Sequence, residues 1–490
     1  LEPKNHNLPK MDVGSSFKGL SVIYIPVVEK KEKDLYKTFP FAKKEKIKGK
    51  KGSKKVIIHN GQIYNFVGIG LEEKMNYRTM RRFYGSAYVG ASGSKPKSIG
   101  LYCDLDYLEA ASVGVNVAAL KSSIFKPKAK KDKDLPNVSF VNPNFKAKMA
   151  YVKSVMKKGQ NIAYGKNIMR VLGSLPPNEL HTEKYAEVIM ELAKKWKVKC
   201  EKISKKKLEK YNLLNAVSAG SGHDSQLLVF TIHPRSGKTK KATAMIGKGL
   251  CFDAGGVQSK QNYMKSMKED MAGSASVMGT IYSIVKNKLD LKETTYFLLP
   301  LAENMMGRNA MRPDDVYTAG DGQTVEIIHT DAEGRLVMAD AICYAKKNYK
   351  NTHKFYTIAT LTGSCIIALG QHYTGGVCNN DDLACDVTKI GKKVGDYVHV
   401  GPWDMDYDDN NSPVADMSNL GEQDREAGWI KAGMFLYRFV PKAKKKEKQA
   451  QFCHFDIAAT IDMDEKGKAW RSKGLSSGVG VGLLSELLTK

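Results

Sequence analysis

The sequence lacks the long apolar runs that mark membrane proteins. No stretch approaches the roughly 18 consecutive apolar residues that a membrane-spanning helix needs. The first residues, Leu1-Glu2-Pro3-Lys4, begin no apolar core of the kind that defines a signal peptide. We therefore expect a cytoplasmic location and no membrane partner.

Cysteine pairs at the spacing of redox or zinc-binding motifs are also missing. The eight cysteines stand at positions 103, 200, 251, 343, 365, 378, 385 and 453, and none forms a Cys-x-x-Cys pair. Several lie in apolar segments such as Ala341-Ile342-Cys343-Tyr344. This pattern is typical of reduced thiols in a cytosolic protein and argues against a disulfide framework or a zinc knuckle.

Two common hydrolase motifs are absent or out of context. There is no His-Glu-x-x-His sequence, and the one Gly-x-Ser-x-Gly match is Gly474-Leu475-Ser476-Ser477-Gly478. That match follows a charged run over residues 468–473, whereas a nucleophile elbow requires a buried strand before it. A glycine-rich loop is the favoured interpretation.

Negative charge is scarce relative to positive charge. The sequence contains 78 Lys and Arg residues but only 51 Asp and Glu residues, which gives a formal net charge of +27. Much of the excess lies in lysine-rich runs, which cover residues 43–55, 126–133, 205–207 and 442–446. Such charge can mark a nucleic-acid-binding surface, but these runs lack interleaved aromatic residues and known nucleic-acid motifs. Solvated surface loops are therefore favoured over a nucleic-acid partner.

What the sequence does contain is an alternation of apolar strands and helices over 490 residues, enough for two or three domains. Apolar strand-like runs include residues 20–28, 227–232, 295–301 and 355–361. Strands this apolar are typically buried on both faces, which predicts a mainly parallel sheet covered by helices. The expected fold class is α/β.

The patterns predict three segments in the chain. Residues 1–140 form a small N-terminal α/β domain, in which nothing points to catalysis. Residues 141–175 contain a long linker helix that ends before Pro176-Pro177. Residues 176–490 form a larger C-terminal α/β domain with a mainly parallel central sheet.

The most informative stretch is His329-Thr330-Asp331-Ala332-Glu333-Gly334-Arg335-Leu336. It follows a strand-like run over residues 324–328 and leads into a helix-like run over residues 336–345. In extended backbone Asp331 and Glu333 project to the same side, at a strand-to-helix turn where ligands often bind. Two carboxylates so close favour a divalent cation, although a turn of solvated charges has the same sequence pattern.

A second stretch carries further chemical groups. It contains Gly247-Lys248-Gly249, then Phe252-Asp253-Ala254-Gly255-Gly256, Lys260 and Met267-Lys268-Glu269-Asp270-Met271. Lys248 alone suggests a phosphate-binding lysine, but the rest of a P-loop is missing. Taken together, the two stretches resemble the signatures of the leucine aminopeptidase family, the two-metal cytosol aminopeptidases. The resemblance runs from about residue 176 to the C-terminus.

The resemblance implies two divalent metal ions per subunit. It implies that Lys248, Asp253, Asp270 and Glu333 hold one ion, and that Asp253, Asp331 and Glu333 hold the other, together with the main-chain carbonyl of Asp331. Zinc, manganese, magnesium and cobalt all suit oxygen-rich sites, so the ligand types leave the metal open, with zinc or manganese expected first. Lysine coordinates only as a neutral amine, so we expect burial and adjacent cations to lower the pKa of Lys248.

The resemblance also implies roles for two cations that bind no metal. Lys260 would polarise the substrate carbonyl and stabilise the oxyanion, while Arg335 would hold a bicarbonate that acts as general base toward a metal-bridging water. The implied activity is removal of the N-terminal residue from short peptides whose free α-amine binds a metal ion and donates a hydrogen bond to Asp270. The implied assembly is a homo-hexamer, a dimer of trimers.

An apolar side-chain pocket is implied by the same resemblance. Its residues would be Met267, Met271, Thr360, Gly363, Ala458 and Ile461. Methionine side chains are adaptable, so leucine-like, methionine-like or other apolar first residues are expected. Methionines beside a helix are also ordinary core residues, but for Met267, close to Asp270, the pocket is preferred.

Three positions depart from the family's pattern. His329 stands where Asn is usual, Ala254 where Ser is usual, and Ile461 where Met is common. His329 is either a partner that tunes the neighbouring ligands or a satisfied core histidine. No ligand is lost, so these changes bear on pocket shape and pH dependence.

Two rival functions remain beside the peptidase. One is a nucleic-acid-binding accessory protein on the same scaffold, which the lysine excess keeps open. The other is an inactive protein with a structural role, against which the complete ligand set argues.

Overall fold

The computed structural model describes residues 8–121, 135–421, 426–443, 448–461 and 475–489. These residues divide into two compact units, the first ending at Asn167 and the second beginning at Ile168. The boundary falls inside the helix Met149–Leu172, which follows a 3-10 turn over Pro143–Lys148. Among the described residues, no helix is both long and apolar enough to cross a membrane.

The first unit is built on a six-stranded sheet. In spatial order its strands are Met11–Gly14, Asn137–Val141, Ser98–Tyr102, Val22–Val28, Gln62–Gly70 and Lys54–His59. All neighbours pair in parallel except the last two, which form an antiparallel pair. The unit's helices are Glu32–Thr38, Tyr77–Ser92, Leu105–Ala119 and the beginning of Met149–Leu172.

Alternation along the strand Val22–Val28 shows that one face of this strand packs into a core cluster. Ile23, Ile25 and Val27 are almost fully buried and pack into an aromatic cluster with Phe39 and Phe66. Residues between them are only half-buried. The period of two is what a strand imposes on its side chains.

The second unit is built on a nine-stranded, mainly parallel sheet. Its main path runs through Val398–Val400, Thr374–Cys378, Gln451–Asp456, Thr352–Ala359, Ala242–Gly247, Thr294–Asn304, Gln226–Ile232 and Lys199–Lys202. The ninth strand, Gly249–Asp253, pairs in parallel with Thr294–Asn304. The central strands are parallel, and antiparallel pairs occur on either side of them. The predicted α/β class with a mainly parallel sheet is confirmed.

Helices cover this second sheet. They are Thr182–Trp196, Lys205–Leu208, Asn212–Ser218, Ala272–Asn287, Gly334–Asn348, Gly363–Leu369, Asp381–Val394, Gly428–Tyr437, Ala458–Ile461 and Val481–Leu488. The helix Thr182–Trp196 buries Tyr185, Ile189, Leu192 and Trp196, a spacing that forms one helical face. The helix Ala272–Asn287 approaches its neighbouring strand closely: a Cβ atom at Gly273 would lie 2.2 Å from the carbonyl oxygen of Ile358.

Polar residues end several of the parallel strands. The strand Gly249–Asp253 ends at Asp253, Thr294–Asn304 ends at Asn304, and Gln451–Asp456 ends at Asp456. These ends lie at the carboxyl edge of the sheet, where open α/β folds bind their ligands.

Some features predicted from the sequence lie outside the described residues. These are the lysine run over 126–133, part of the run over 442–446, and Gly474 with the charged residues before it. Ser476 is buried in an irregular segment, and its carbonyl oxygen accepts a hydrogen bond from Nε of Arg170 at 3.1 Å. All eight cysteines are described and all are free thiols.

Candidate metal centre and active site

Lys248 lies at a break between two strands, Ala242–Gly247 and Gly249–Asp253. Its side chain is buried, with only 2% exposed. The Nζ atom lies 2.8 Å from Oδ1 of Asp270 and 2.9 Å from Oε1 of Glu333, and it donates to the carbonyl oxygen of Thr360 at 3.0 Å. The buried ammonium therefore joins two of the predicted metal ligands.

The neighbouring carboxylates determine the pKa of Lys248 within the protein. Burial acts to lower the pKa of Lys248, but the negative charges of Asp270, Glu333 and Asp253 outweigh burial and raise it. A lowered pKa was expected for Lys248 beside two bound cations, and for that state it stays a prediction.

The second lysine, Lys260, contacts the other two predicted ligands. Its Nζ atom lies 2.7 Å from Oδ2 of Asp253 and also contacts Oδ1 of Asp331. Its side chain is 16% exposed, so Lys260 is the more accessible of the two lysines. Burial acts to lower the pKa of Lys260, and the surrounding carboxylates raise it overall, which keeps the amine charged.

All five predicted metal ligands and Lys260 belong to one cluster. Asp253, Asp331 and Glu333 can each place one carboxylate oxygen within 4.8 Å of the others. Lys248 connects Asp270 to this group through Glu333. The four carboxylates come from three separate segments of the chain, which the parallel sheet brings together.

The carboxylates in this cluster are strongly perturbed. Burial raises the pKa of Asp270 and Glu333 to about 7 and that of Asp331 to about 6, and the negative charge of Asp253 adds to the shift in each case. Within the described part of the chain, the buried Oε2 atom of Glu333 has no hydrogen-bond partner. A divalent cation satisfies such crowded, buried oxygens.

The turn that carries Asp331 and Glu333 is not extended. Asp331 lies in a turn, and Glu333 has helical dihedral angles, φ −78° and ψ −35°, where it precedes the helix Gly334–Asn348. The preceding strand is only Thr324–Glu326. The two carboxylates therefore converge through a turn, and the expectation of extended backbone at this point was wrong.

Asn419, which no sequence motif indicated, fixes that turn. Its Oδ1 atom accepts hydrogen bonds from the backbone N–H groups of Ile328 at 2.8 Å and His329 at 3.2 Å. Its Nδ2 atom donates to the carbonyl oxygen of His329 at 2.8 Å. These three bonds satisfy backbone groups of residues 328 and 329, which follow the end of the strand Thr324–Glu326.

Thr330 ties the same turn to the loop after Asp253. Its backbone N–H donates to Oε1 of Gln258 at 2.7 Å, and its hydroxyl donates to the carbonyl oxygen of Gly255 at 2.6 Å. Gly255 has φ of +90°, and a Cβ atom there would lie 3.1 Å from Oδ1 of Asp331. Glycine is required here both for this left-handed backbone and for the close approach.

Two of the departures from the family pattern act through hydrogen bonds. Nδ1 of the half-buried His329 accepts a bond from the backbone N–H of Asp331 at 3.1 Å, so the imidazole supports a predicted ligand. Ala254 contributes backbone only: its N–H donates to Asn304 at 2.9 Å, and its carbonyl oxygen accepts from the N–H of Lys260 at 3.0 Å.

Asn304 is a second residue that sequence reasoning missed. Its Nδ2 atom donates to Oδ1 of Asp253 at 2.9 Å and to the carbonyl oxygen of Thr330 at 3.0 Å. It thereby joins the segment of Asp253 to the turn that carries Asp331. Its position at the end of an apolar strand is the only signal in the sequence that could have indicated it.

Arg335 lies in the first turn of the helix Gly334–Asn348 and is 6% exposed. Its guanidinium carbon lies 5.8 Å from the ring centroid of Phe435. Its Nε and Nη1 atoms are buried and have no hydrogen-bond partner among the described residues. Burial lowers its pKa to about 10, so the guanidinium stays charged at neutral pH. A buried cation with two free donors is suited to a planar anion.

The six predicted pocket residues differ in burial. Met271 and Ile461 are buried; Met267, Thr360 and Ala458 are half-buried; and Gly363 is exposed. Thr360 is joined directly to the cluster, because its hydroxyl donates to Oδ1 of Asp270 at 2.7 Å. That the six residues line one pocket stays a prediction.

Asp456, a third residue missed from the sequence, connects the pocket segments. Its Oδ1 atom accepts from the backbone N–H groups of Leu361 at 3.2 Å and Ala458 at 3.0 Å, and its Oδ2 atom accepts from the hydroxyl of Thr362 at 2.7 Å. Asp456 is fully buried, and burial raises its pKa to about 6. It joins the segment after the strand Thr352–Ala359 to the helix Ala458–Ile461.

Solved structures with the same fold include a mutant of tomato leucine aminopeptidase, with a TM-score of 0.83, 24% identity, and coverage of 98% of this chain and 97% of that one. Another is the bottromycin maturation enzyme BotP in complex with Mn, with a TM-score of 0.81, 24% identity, and coverage of 96% and 98%. At this identity the likeness shows the fold alone.

Sequence relatives give closer matches. A "Probable cytosol aminopeptidase" of Dechloromonas aromatica (strain RCB) is 37% identical over 328 residues, which cover 66% of this chain and 61% of that protein. One of Alcanivorax borkumensis (strain ATCC 700651 / DSM 11573 / NCIMB 13689 / SK2) is 38% identical over 327 residues, covering 66% and 63%. The chain thus spans less than two thirds of the length of these two relatives. One of Nitrosomonas eutropha (strain DSM 101675 / C91 / Nm57) is 33% identical over 454 residues, covering 89% and 85%.

A family model described as "Cytosol aminopeptidase family, catalytic domain" matches residues 167–485, which include every residue of the carboxylate cluster. This match confirms the resemblance found in the two sequence stretches. Because the model covers more than half of the chain, and the Nitrosomonas relative matches over most of its own length, the chain belongs to the cytosol aminopeptidase family.

Proposed function

We propose that the protein is a metal-dependent aminopeptidase that hydrolyses the N-terminal residue from short peptides. The observation that carries this proposal is the convergence of four carboxylates and two lysines at the carboxyl edge of the parallel sheet. Membership of the cytosol aminopeptidase family supports the same activity.

The donor set fits two divalent cations. Asp253, Asp331 and Glu333 offer oxygens within 4.8 Å of one another, and Glu333 keeps one buried oxygen without a hydrogen bond among the described residues. Lys248 and Asp270 complete the proposed set. Zinc and manganese are the preferred candidates, with magnesium and cobalt next; BotP, which shares this fold, was solved with Mn. When bound, such ions would polarise the scissile carbonyl and lower the pKa of water.

Lys260 is the residue that we assign to the developing negative charge on the substrate carbonyl oxygen. It is the more exposed lysine, and its contacts with Asp253 and Asp331 hold its ammonium beside the proposed metal ligands. Because the carboxylates raise its pKa, the ammonium is already charged before the reaction begins. Fixed positive charge of this kind stabilises an oxyanion without reorganisation.

Arg335 is assigned to an anion that takes part in proton transfer. Its buried guanidinium has two donors that no described residue satisfies. A bicarbonate held there would supply a proton acceptor next to Glu333. The ring of Phe435, 5.8 Å from the guanidinium carbon, forms an aromatic contact beside this cation.

Asp270 and the predicted pocket determine which peptides are accepted. The carboxylate of Asp270 is buried beside Lys248 and can accept a hydrogen bond from a free α-amine. Peptides with a blocked N-terminus lack that donor group. The apolar side chains proposed for the pocket favour leucine, methionine and similar first residues.

Release of the first residue from matched peptides tests this function. Purified protein with added manganese or zinc would be given leucyl, methionyl, aspartyl and lysyl tripeptides, and the N-acetylated leucyl tripeptide. We expect rapid release of leucine and methionine and none from the acetylated peptide. Lys260→Gln should lose most of the rate, whereas Lys265→Gln, an exposed lysine in the neighbouring 3-10 helix, should retain it. Equal cleavage of acetylated and free peptides would contradict the proposal.

The assembly and location implied by the family resemblance stay predictions. Sedimentation equilibrium of a hexamer would give a molecular mass six times the chain mass of 54.3 kDa. A monomer at micromolar concentration would contradict that expectation without affecting the proposed chemistry. A cytosolic location is likewise proposed.

A further inference from the structure

A second group of metal-binding side chains lies in the same unit and shares no residue with the carboxylate cluster. His181, Glu183 and His223 can place one ligand atom each within 4.8 Å of the others. The two imidazole rings are stacked, with centroids 3.9 Å apart and an interplanar angle of 11°. Nδ1 of each histidine lies 2.8 Å from the same atom, Oε2 of Glu183.

Hydrogen bonds from neighbouring residues fix the position of Glu183. Its Oε1 atom accepts from the backbone N–H of Asp224 at 2.9 Å, which leaves Oε2 toward the two histidines. The hydroxyl of Thr182 donates to the carbonyl oxygen of Asp224 at 2.7 Å. These bonds join the beginning of the helix Thr182–Trp196 to the loop that carries His223. Outer hydrogen bonds of this kind orient metal ligands in proteins.

The loop that carries His223 is anchored to the sheet as well. The backbone N–H of His223 donates to the hydroxyl oxygen of Ser221 at 3.1 Å, and that hydroxyl donates to Oε2 of Glu303 at 2.6 Å. Glu303 belongs to the central strand Thr294–Asn304 and is 6% exposed. The histidine is therefore presented by a fixed loop.

The cluster is open to solvent. The side chains of His181, Glu183 and His223 are 28%, 34% and 40% exposed, so an ion can enter without unfolding the loop. A cavity of about 350 Å³ is lined by His223, Ser221 and Lys205, among others. The His223 side of the cluster therefore borders open space.

We propose that His181, Glu183 and His223 form a zinc-binding site that is separate from the proposed catalytic ions. Two imidazole nitrogens and one carboxylate oxygen are ligands that zinc prefers, whereas magnesium and calcium prefer oxygen alone. In a tetrahedral zinc site the ligand atoms are about 3.3 Å apart. The observed 2.8 Å contacts are close to that separation, and binding would rotate the stacked rings out of parallel, so that both Nδ1 lone pairs point at one ion.

The number of zinc ions bound per chain of 490 residues tests the proposal. Chelator-treated protein would be dialysed against Zn²⁺, and bound zinc per chain measured for the unmodified protein, for His181→Gln/His223→Gln, and for His399→Gln. His399 is an exposed histidine in the same unit and serves as the matched control. We expect the double variant to bind one zinc fewer per chain and the control to bind the full number. Equal zinc content in all three proteins would overturn the proposal.

The ligand type provides a second readout that does not depend on enzyme activity. The carboxylate cluster contains no histidine among its five predicted ligands, so imidazole scattering in the zinc X-ray absorption spectrum reports the proposed site. Asp331→Ala/Glu333→Ala should retain one zinc with imidazole ligands, and His181→Gln/His223→Gln should lose that signal. Zinc without imidazole scattering in the unmodified protein would show that the three side chains form only a hydrogen-bonded cluster. Failure of the peptidase proposal would leave these results unchanged.

Discussion

A Cβ atom on Gly334 would lie 2.5 Å from the Nζ atom of Lys248. Gly334 is the first residue of a helix, directly after Glu333, and Lys248 lies between two strands. The ammonium reaches both Asp270 and Glu333 only because residue 334 has no side chain. The glycine at position 334 therefore leaves the space that the side chain of Lys248 occupies.

Gly334→Ala should displace the ammonium of Lys248 and strongly reduce peptide hydrolysis. Residue 334 has an ordinary helical backbone, so the helix tolerates alanine and the damage falls on the site. We expect a loss of about 100-fold or more in kcat/KM with an unchanged circular dichroism spectrum. Gly93→Ala is the control, since its Cβ would meet nothing closer than 3.7 Å. Full activity of Gly334→Ala would show that Lys248 need not occupy its observed position.

Arg335→Lys should abolish the response to bicarbonate. Lysine keeps the charge but loses the planar guanidinium, whose Nε and Nη1 donors have no partner within the described structure. In buffer depleted of carbon dioxide, added bicarbonate should raise kcat of the unmodified enzyme, while the variant should be about 100-fold slower and unresponsive. Arg312→Lys, at an exposed arginine paired with Asp315, should behave like the unmodified enzyme. A bicarbonate response that survives in Arg335→Lys would place the anion elsewhere.

Asp456→Ala should weaken substrate binding more than Asp456→Asn does. Alanine leaves the N–H groups of Leu361 and Ala458 without their acceptor, at a cost of about 1–3 kcal/mol for each buried group, whereas Asn can still accept from both. KM for a leucyl peptide should therefore rise several-fold in the alanine variant and less in the asparagine variant. Asp416→Ala, which removes an exposed acceptor from Thr324, should leave KM unchanged. Equal KM values in the two Asp456 variants would argue against this positioning role.

His454 should make the protein less stable in acid. Burial, with the positive charges of Arg335 and Lys248, lowers its pKa from 6.5 to about 3. The folded state therefore keeps the imidazole neutral, while the unfolded chain binds a proton as the pH falls below 6.5, so the free energy of unfolding decreases toward acid. Between pH 7.5 and pH 4.5, the unmodified protein should lose about 2–3 kcal/mol more than His454→Gln.

Urea unfolding at the two pH values measures this difference. His399→Gln, at an exposed histidine, is the control and should follow the unmodified protein. Buried carboxyl groups with raised pKa values increase the free energy of unfolding as the pH falls, which opposes the effect of His454. The effect of residue 454 is therefore read from the difference between the variant and the unmodified protein. If the free energy of unfolding changes equally with pH in His454→Gln and in the unmodified protein, the pKa of His454 does not differ between the folded and unfolded states as described.

The five proposed metal ligands and Lys260 were predictable because each lies in one of two contiguous motifs. Those motifs carry the spacing of Lys248 to Asp253 and Asp270, and of Asp331 to Glu333. The residues could therefore be identified from their motifs alone, and folding brings those motifs together in space.

Asn304, Asn419 and Asp456 could not be predicted because their significance depends on tertiary structure. Asn419 lies about 90 positions from the turn that it fixes, and Asp456 lies 95 positions from Leu361. A single polar residue at the end of a strand carries no spacing signal. His181 and His223 escaped notice for the same reason, being 42 positions apart in sequence although their rings are stacked.

Backbone conformation at Asp331 shows a different limit. Two residues separated by one position project to the same side of a strand, and that rule suggested the correct pair of carboxylates for the wrong reason. The strand ends at Glu326, and side-chain hydrogen bonds from Asn419 impose a turn. Local propensity cannot anticipate a turn that a distant amide stabilises.

Hydrolysis of leucyl-amidomethylcoumarin, measured together with bound metal, tests the central claim most directly. The unmodified protein would be compared with Asp331→Ala, each after treatment with chelator and after return of manganese or zinc. Activity that disappears with chelator, returns with metal and is absent in Asp331→Ala is the predicted result, because Asp331 is placed among the proposed ligands. A chelator-treated protein that still hydrolyses the substrate, or an Asp331→Ala variant with full activity, would contradict the metal-dependent mechanism at this site.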